Sequence, residues 1–264
     1  MSTSYISPKF PATKDSLHAE LKRRVQAYFD EKGIDATGTP GLFTKAILMI
    51  LALIAVYVHV VFFTPIWWLA IAECIVMGGL VAAIGFNVMH DGSHGSFSKY
   101  AWLNKLASSS ISVLGASRFM WGMKHVTIHH TYTNIHGHDE DLDAGRIIRF
   151  SQHSDWQWYH RFQHYYSILL YGLLTINWAI TTDFIQMKRY MKQKLAYGNL
   201  PNPFVNWSTL VISKIIYLSL WIVLPIAVLD LAWWKILIGF FVMHYTAGLI
   251  LSVIFQLAHV MDAA

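Results

Sequence analysis

Five histidines fall in two short clusters: His90 and His94 flank Asp91, Gly92 and Ser93, and His125, His129 and His130 follow some thirty residues later. On a helix, residues four apart share a face and lie about 6 Å apart along the axis. Each i, i+4 pair can therefore grip one metal ion. His130 is turned about 100° from His129, so the second cluster presents ligands in two directions. That suits two ions better than one.

The elements that must position these side chains are apolar. Of 264 residues, 55% are hydrophobic and only 13% charged, against about 25% charged in soluble domains. The mean hydropathy is +0.40. This excludes an ordinary soluble globule and a disordered chain. It also excludes a nucleic-acid binder, despite a net charge of +5. A bilayer crossing needs about 20 residues, and runs 44–64, 67–89, 209–229 and 231–257 are long enough. Trp67, Trp68, Trp233 and Trp234 mark the two tips as interfacial belts. Run 165–183 is also long enough. If it crossed, however, Lys188, Arg189, Lys192 and Lys194 would lie on the outer side, against the positive-inside rule. It is predicted to lie flat in the interface.

The predicted fold is an all-α integral membrane protein. Four transmembrane helices form two hairpins, and a cytoplasmic helical cap carries the histidines. Residues 1–43 form an N-terminal segment: a polar tail (1–14), then an amphipathic helix over 15–32 with Leu17, Leu21, Val25 and Phe29 on one face. Residues 44–262 form the membrane unit. No secretory signal is visible. Lys214, near one end of its span, is expected to snorkel to the interface.

This topology returns both hairpins to one side, so His259, closing Gln256-Leu-Ala-His259, joins the two clusters. Six aligned histidines exceed the three or four protein ligands of one zinc. The single cysteine, Cys74, sits in an apolar run and reads as a buried packing residue. The Glu-x-x-His pattern of soluble di-iron carboxylate bundles is absent. Imidazole suits iron, and two irons held by His90, His94, His125, His129, His130 and His259 are the best fit. The acidic stretch Asp139, Glu140, Asp141 and Asp143 reads either as a set of groups orienting the ligands or, more plainly, as a solvated loop. His160 and His164 repeat the i, i+4 spacing beside Trp158, Tyr159, Tyr165 and Tyr166, and read as an interfacial helix. His59 and His244 lie within spans and read as buried packing residues.

The segments Met89–Ser96, Lys124–Asn134, Gly137–Asp141, Arg161–His164 and Phe255–His259 together resemble the membrane fatty acid desaturase family, over about residues 40 to 262. Within it, the chain is similar to bacterial acyl-CoA or acyl-lipid desaturases of the linoleoyl and front-end type. The resemblance implies a histidine-ligated di-iron centre and O2-dependent insertion of a cis double bond into an acyl chain. It also implies a site on the cytoplasmic face of a bacterial inner membrane. His90 and His94 match the family's first box, His125, His129 and His130 the second, and His259 an additional ligand. The third box, His-x-x-His-His beyond the last span, has no counterpart before Ala264, which implies a C-terminally truncated chain. The His-Pro-Gly-Gly signature of a fused b-type cytochrome is absent. That implies a separate electron donor, a ferredoxin or a b-type cytochrome. The implied partners are an acyl-CoA or acyl-lipid substrate and membrane lipid, with no nucleic acid. The alternatives are a lipid hydroxylase or ketolase on the same scaffold, a membrane zinc hydrolase, and a haem carrier using His59 and His244.

Overall fold

Thr39 accepts a hydrogen bond from the Leu42 amide, and Pro40 takes the first helical position, where its missing N–H costs nothing. A long apolar helix follows. This computed structural model describes residues 16–63, 66–142, 145–192 and 202–259, with the side chain of His259 excluded. The predicted polar tail, Asp143 and Lys194 lie outside the described residues.

Every regular element among the described residues is helical. Helix α1 (Leu17–Lys32) is capped by Ser16 and closed by Gly33 in the left-handed region; none of its residues is buried. Helices α2 (Pro40–Phe62) and α3 (Trp67–Ser93) form the first hairpin. Helices α8 (Pro203–Val228) and α9 (Trp233–His259) form the second. All four are long and apolar enough to cross a bilayer. Two begin earlier than the apolar runs suggest, at Pro40 and Pro203, because Thr39 and Asn202 supply caps just before them. Between the hairpins lie α4 (Ala101–Ser109), α5 (118–132), α6 (Trp158–Tyr171) and α7 (Leu174–Lys192).

The hairpins meet through small residues. Gly78 on α3 faces Met243, Thr246 and Ala247 on α9, and Ala82 and Ala247 are fully buried. Lipid-embedded helices associate by this close packing, because apolar burial alone does not favour protein over lipid tails. Cys74 is buried in the same core, with Met77, Val81 and Met243. On the other side, the Tyr57 hydroxyl donates to the Leu220 carbonyl and its ring meets Trp221 edge-on. The outward faces of α2 and α8 remain apolar, with Ile47, Leu51, Ile212 and Ile216 exposed. That pattern fits lipid rather than water.

Three sequence expectations are corrected here. Stretch 165–183 is not one flat helix. It belongs to α6 and α7, which bend by 65° at their junction. Gly172 sits at that bend, where an added Cβ would strike the Tyr245 ring and where its carbonyl lies against Gly248 of α9. Thr175 donates to the His244 carbonyl at 2.8 Å, some fifteen residues and about 22 Å of helix from His259. Both outer ends of the pair are tied to the polar segment between the hairpins. Tyr159 and Tyr166 donate to the carbonyls of Arg146 and Ile147, and Tyr190 donates to Glu140. The pair forms a V. Lys214 does not snorkel: it is 5% exposed and lies 2.7 Å from Asp183 on α7. His244 is buried, with Tyr217 and Thr175 as partners. His59 departs from its buried reading. It is half-exposed and pairs with Glu73 at 2.7 Å.

Candidate metal centre

The first cluster is built by the end of α3. Residues Gly85–His90 are π-helical, and Ser93 closes the helix by donating to the Met89 carbonyl at 2.6 Å. Gly92 is required by close approach rather than by flexibility. A Cβ there would lie 2.6 Å from the Ser108 amide nitrogen and 2.7 Å from the Ala107 Cβ. Helix α4 thus packs directly under the pair His90 and His94.

The second cluster is built by α5. Ser117 caps it by accepting from the Met120 amide, and residues Gly122–His129 are π-helical. Each π turn is about one residue wider than an α turn, so residues five apart come to share a face. His130 therefore joins His125 on one side, while His129 turns its Nδ1 toward Asp139. Trp121 joins the clusters: its indole N–H donates to Ser93 Oγ at 3.1 Å, and its ring stacks on His125 at 4.3 Å.

Four imidazoles converge. Nε2 of His125 lies 3.2 Å from Nε2 of His90 and 3.3 Å from Nε2 of His130. His94 completes the group, with one ligand atom of each residue within 4.8 Å of the others. Nitrogens about 2.0–2.1 Å from one ion are separated by about 2.8–3.4 Å between right-angled and tetrahedral positions, so these spacings fit a shared ion. A second group joins His125, His129 and Asp141. The described geometry thus brings together His90, His94, His125, His129 and His130. The backbone of His259 ends α9, whose Phe255 touches Trp121 and His125.

Burial drops the His125 imidazole to about 2, with neighbouring histidines adding to the drop against the pull of Asp141. Burial, then His90 and His130, drops His94 to about 4. Both rings are neutral at pH 7, the form that ligates metal. His129 behaves oppositely. Burial opposes its charge, but its hydrogen bond to Asp139 and the nearby Asp141 raise its pKa above the usual value.

Of the acidic stretch, Asp139, Glu140 and Asp141 are held in side-chain contacts rather than left solvated. Asp139 is 3% exposed, and both its oxygens lie 3.0 Å from His129 Nδ1. It also accepts the amides of Asn134 and Asp141, a tight return aided by the positive φ of Asn134. Asp141 is paired with Lys124 at 2.7 Å. A rigid spacing rule on the sequence does not reveal these contacts; the alternation of His and acid just after the second cluster is the only hint. Asp139→Asn should weaken metal binding about 10- to 100-fold while the protein stays folded. Metal titration together with a thermal melt checks it.

His160 and His164 stand apart from both groups. His160 Nδ1 accepts from the Gln157 amide, and its Nε2 lies 2.9 Å from the Arg146 carbonyl. With both nitrogens engaged, His160 secures a loop. His160→Ala should keep the metal content of the wild type, as measured by elemental analysis.

A cavity of about 710 Å³ opens from this centre, between the V, the polar segment and α9. Trp121, Lys124, His125 and Asp141 are among its lining residues, and leucines and isoleucines of α6 and α7 give it apolar walls. Lys124 and Arg189 on its lining are each paired with a lining carboxylate, Asp141 and Glu140.

Four apolar spans and a nitrogen- and oxygen-donor centre at their ends define an integral membrane protein of the histidine-box type. The sequence pattern of the fatty acid desaturase family matches residues 65–263, and the chain belongs to that family. It is 34% identical over 246 residues, 93% of its length, to an sn-1 linoleoyl-lipid 6-desaturase of Arthrospira platensis. It is 31% identical over 245 residues to the protein of that name from Synechocystis sp.. An acyl-lipid (8-3)-desaturase B of Dictyostelium discoideum is 27% identical over 264 residues. The chain covers 66%, 67% and 55% of these relatives' lengths. No solved structure matches it.

Proposed function

We propose that this chain supplies the membrane scaffold and two histidine boxes of an O2-dependent di-iron desaturase that places a cis double bond in a lipid-borne acyl chain. The observation that carries this reading is the convergence of His90, His94, His125 and His130, with His125 also lining a cavity of about 710 Å³. The donor set fits iron: neutral imidazoles with a nearby carboxylate and no thiolate. His90, His94, His125 and His130 would hold one ion. His125, His129 and Asp141 face a second position, and His259 ends the helix beside them. When bound, two irons with O2 supply the oxidising power for removing two hydrogens from an unactivated methylene pair, which no side chain provides.

The chain's own contribution is positioning and dryness. Trp121 fixes the face of His125, and Asp139 fixes His129. The α6–α7 walls would keep the acyl chain extended and water out. The paired state of Lys124 and Arg189 favours a glycerolipid headgroup over the polyanionic CoA, and the relatives are named for lipid-linked substrates. In this reading the histidines face the cytoplasm, and residues 44–262 form one membrane unit behind the N-terminal segment 1–43. The V dips in from the cytoplasmic side, and electrons arrive from a separate ferredoxin or b-type cytochrome.

The test is expression in a host fed linoleoyl lipids, followed by fatty acid analysis of intact lipid and CoA pools. A new double bond in the lipid pool is expected. A hydroxylated product would replace desaturation with hydroxylation, and a protein carrying one zinc and no iron would overturn the reading.

A further inference from the structure

Asp183 and Lys214 form an ion pair remote in sequence from the histidines, and neither takes part in the chemistry above. Asp183 is 4% exposed and lies on the returning arm of the V, in α7. Lys214 lies in α8. Charges taken this far from water persist only where their hydrogen bonds are satisfied, and here the partners are informative. Lys214 Nζ donates to the Gly115 carbonyl at 2.6 Å and to the Trp178 carbonyl at 2.8 Å. Asp183 Oδ2 accepts the Ser117 amide at 2.8 Å. Ser117 is the residue that caps α5, the helix carrying His125, His129 and His130. Gly115 is clamped as well: its φ is +96°, and an added Cβ would lie 3.0 Å from the Tyr217 ring.

A second line of contacts runs from the same pair to the same histidine. The Trp178 ring meets Trp121 edge-on at 5.9 Å, and Trp121 stacks on His125. The pair thus holds both the entry of α5 and the indole that backs its first ligand. Apolar residues of similar size would pack that space with less desolvation cost, but they could not bind the Ser117 amide and the Gly115 carbonyl together.

We propose that Asp183 and Lys214 are positioning residues for the second histidine cluster, locking the start of α5 and thereby setting where His125 is held. This rests on reading the cluster as a metal centre. The experiment uses the whole chain in detergent: wild type, Asp183→Asn, and the double variant Asp183→Leu with Lys214→Met. Three quantities are measured: thermal stability, amide exchange over residues 117–130, and the visible spectrum and affinity of added Co2+.

Asp183→Asn should speed exchange at the start of α5 and weaken Co2+ binding about tenfold, the scale of lost support around a ligand. The double variant should recover the melting temperature yet keep the fast exchange and an altered Co2+ spectrum. Wild-type exchange and spectrum in the double variant would overturn the proposal. So would a double variant that does not fold, because the pair would then serve the fold itself. If wild type gives no Co2+ spectrum, the metal reading fails, and the exchange data still decide whether the pair locks α5.

Discussion

Replacing His125 with alanine is expected to empty the metal centre while leaving a folded membrane protein. Among the described residues, His125 is the one histidine shared by both ligand groups. Its Nε2 stands between those of His90 and His130, and its ring is 2% exposed, stacked on Trp121. Losing a group that merely orients a ligand weakens metal binding about 10- to 100-fold. Losing the shared ligand should exceed that for both positions at once. Iron per chain should fall below detection, and with it any desaturated product. The four-span packing lies mostly elsewhere, through Gly78, Ala82 and Ala247, so a cooperative melt in detergent should persist. His160→Ala under the same conditions is the control. Wild-type iron in His125→Ala would sink the assignment of the centre.

The second large effect concerns Gly78. A side chain there would collide with the Met243 carbonyl and sit 2.7 Å from the Thr246 Cβ. Backbone of a neighbouring span cannot swing aside as a flexible side chain can, so α3 and α9 must separate. Overpacking costs about 1–3 kcal/mol in ordinary cores, and Gly78→Leu should reach the top of that range or beyond. The damage extends to the site, since α3 carries His90 and α9 carries Phe255 against Trp121 and His125. Gly79 is the internal control: its neighbouring position has nothing within 4 Å. Gly79→Leu should change stability by no more than about 0.5 kcal/mol. Paired thermal melts and iron analysis compare the two, and equal melting temperatures would refute the close α3–α9 contact.

Much of the scaffold was legible because its signals are local. A span is a run of about 20 apolar residues, and its Trp-marked tips lie within the same stretch of chain. The two histidine clusters were legible for the same reason, since i, i+4 spacing is a property of one helix. The sharing of ligands was only half legible. The reading that His129 and His130 point in two directions holds, but π turns in α5 decide that His130 goes with His125. Spacing alone does not announce a widened turn. Gly92 is silent in the same way: nothing local shows that it is the place where α4 presses against α3.

What could not be read were partners distant in the chain. Lys214 looked like a residue near a helix end, free to reach the interface. It pairs instead with Asp183, because the V brings α7 against α8. The V itself was hidden, because charge and length describe a segment's sidedness but not its bend. Asp139 was ambiguous until the turn at Asn134 folded it under His129. By itself the sequence determined an apolar four-span chain with two histidine clusters at helical spacing, since hydropathy and helical spacing act over a few turns. Only the tertiary structure decided which histidines meet, which acid orients them and which buried ion pair holds their helix. Those contacts arise when separate helices pack, and their energies depend on neighbours that no single stretch of chain contains.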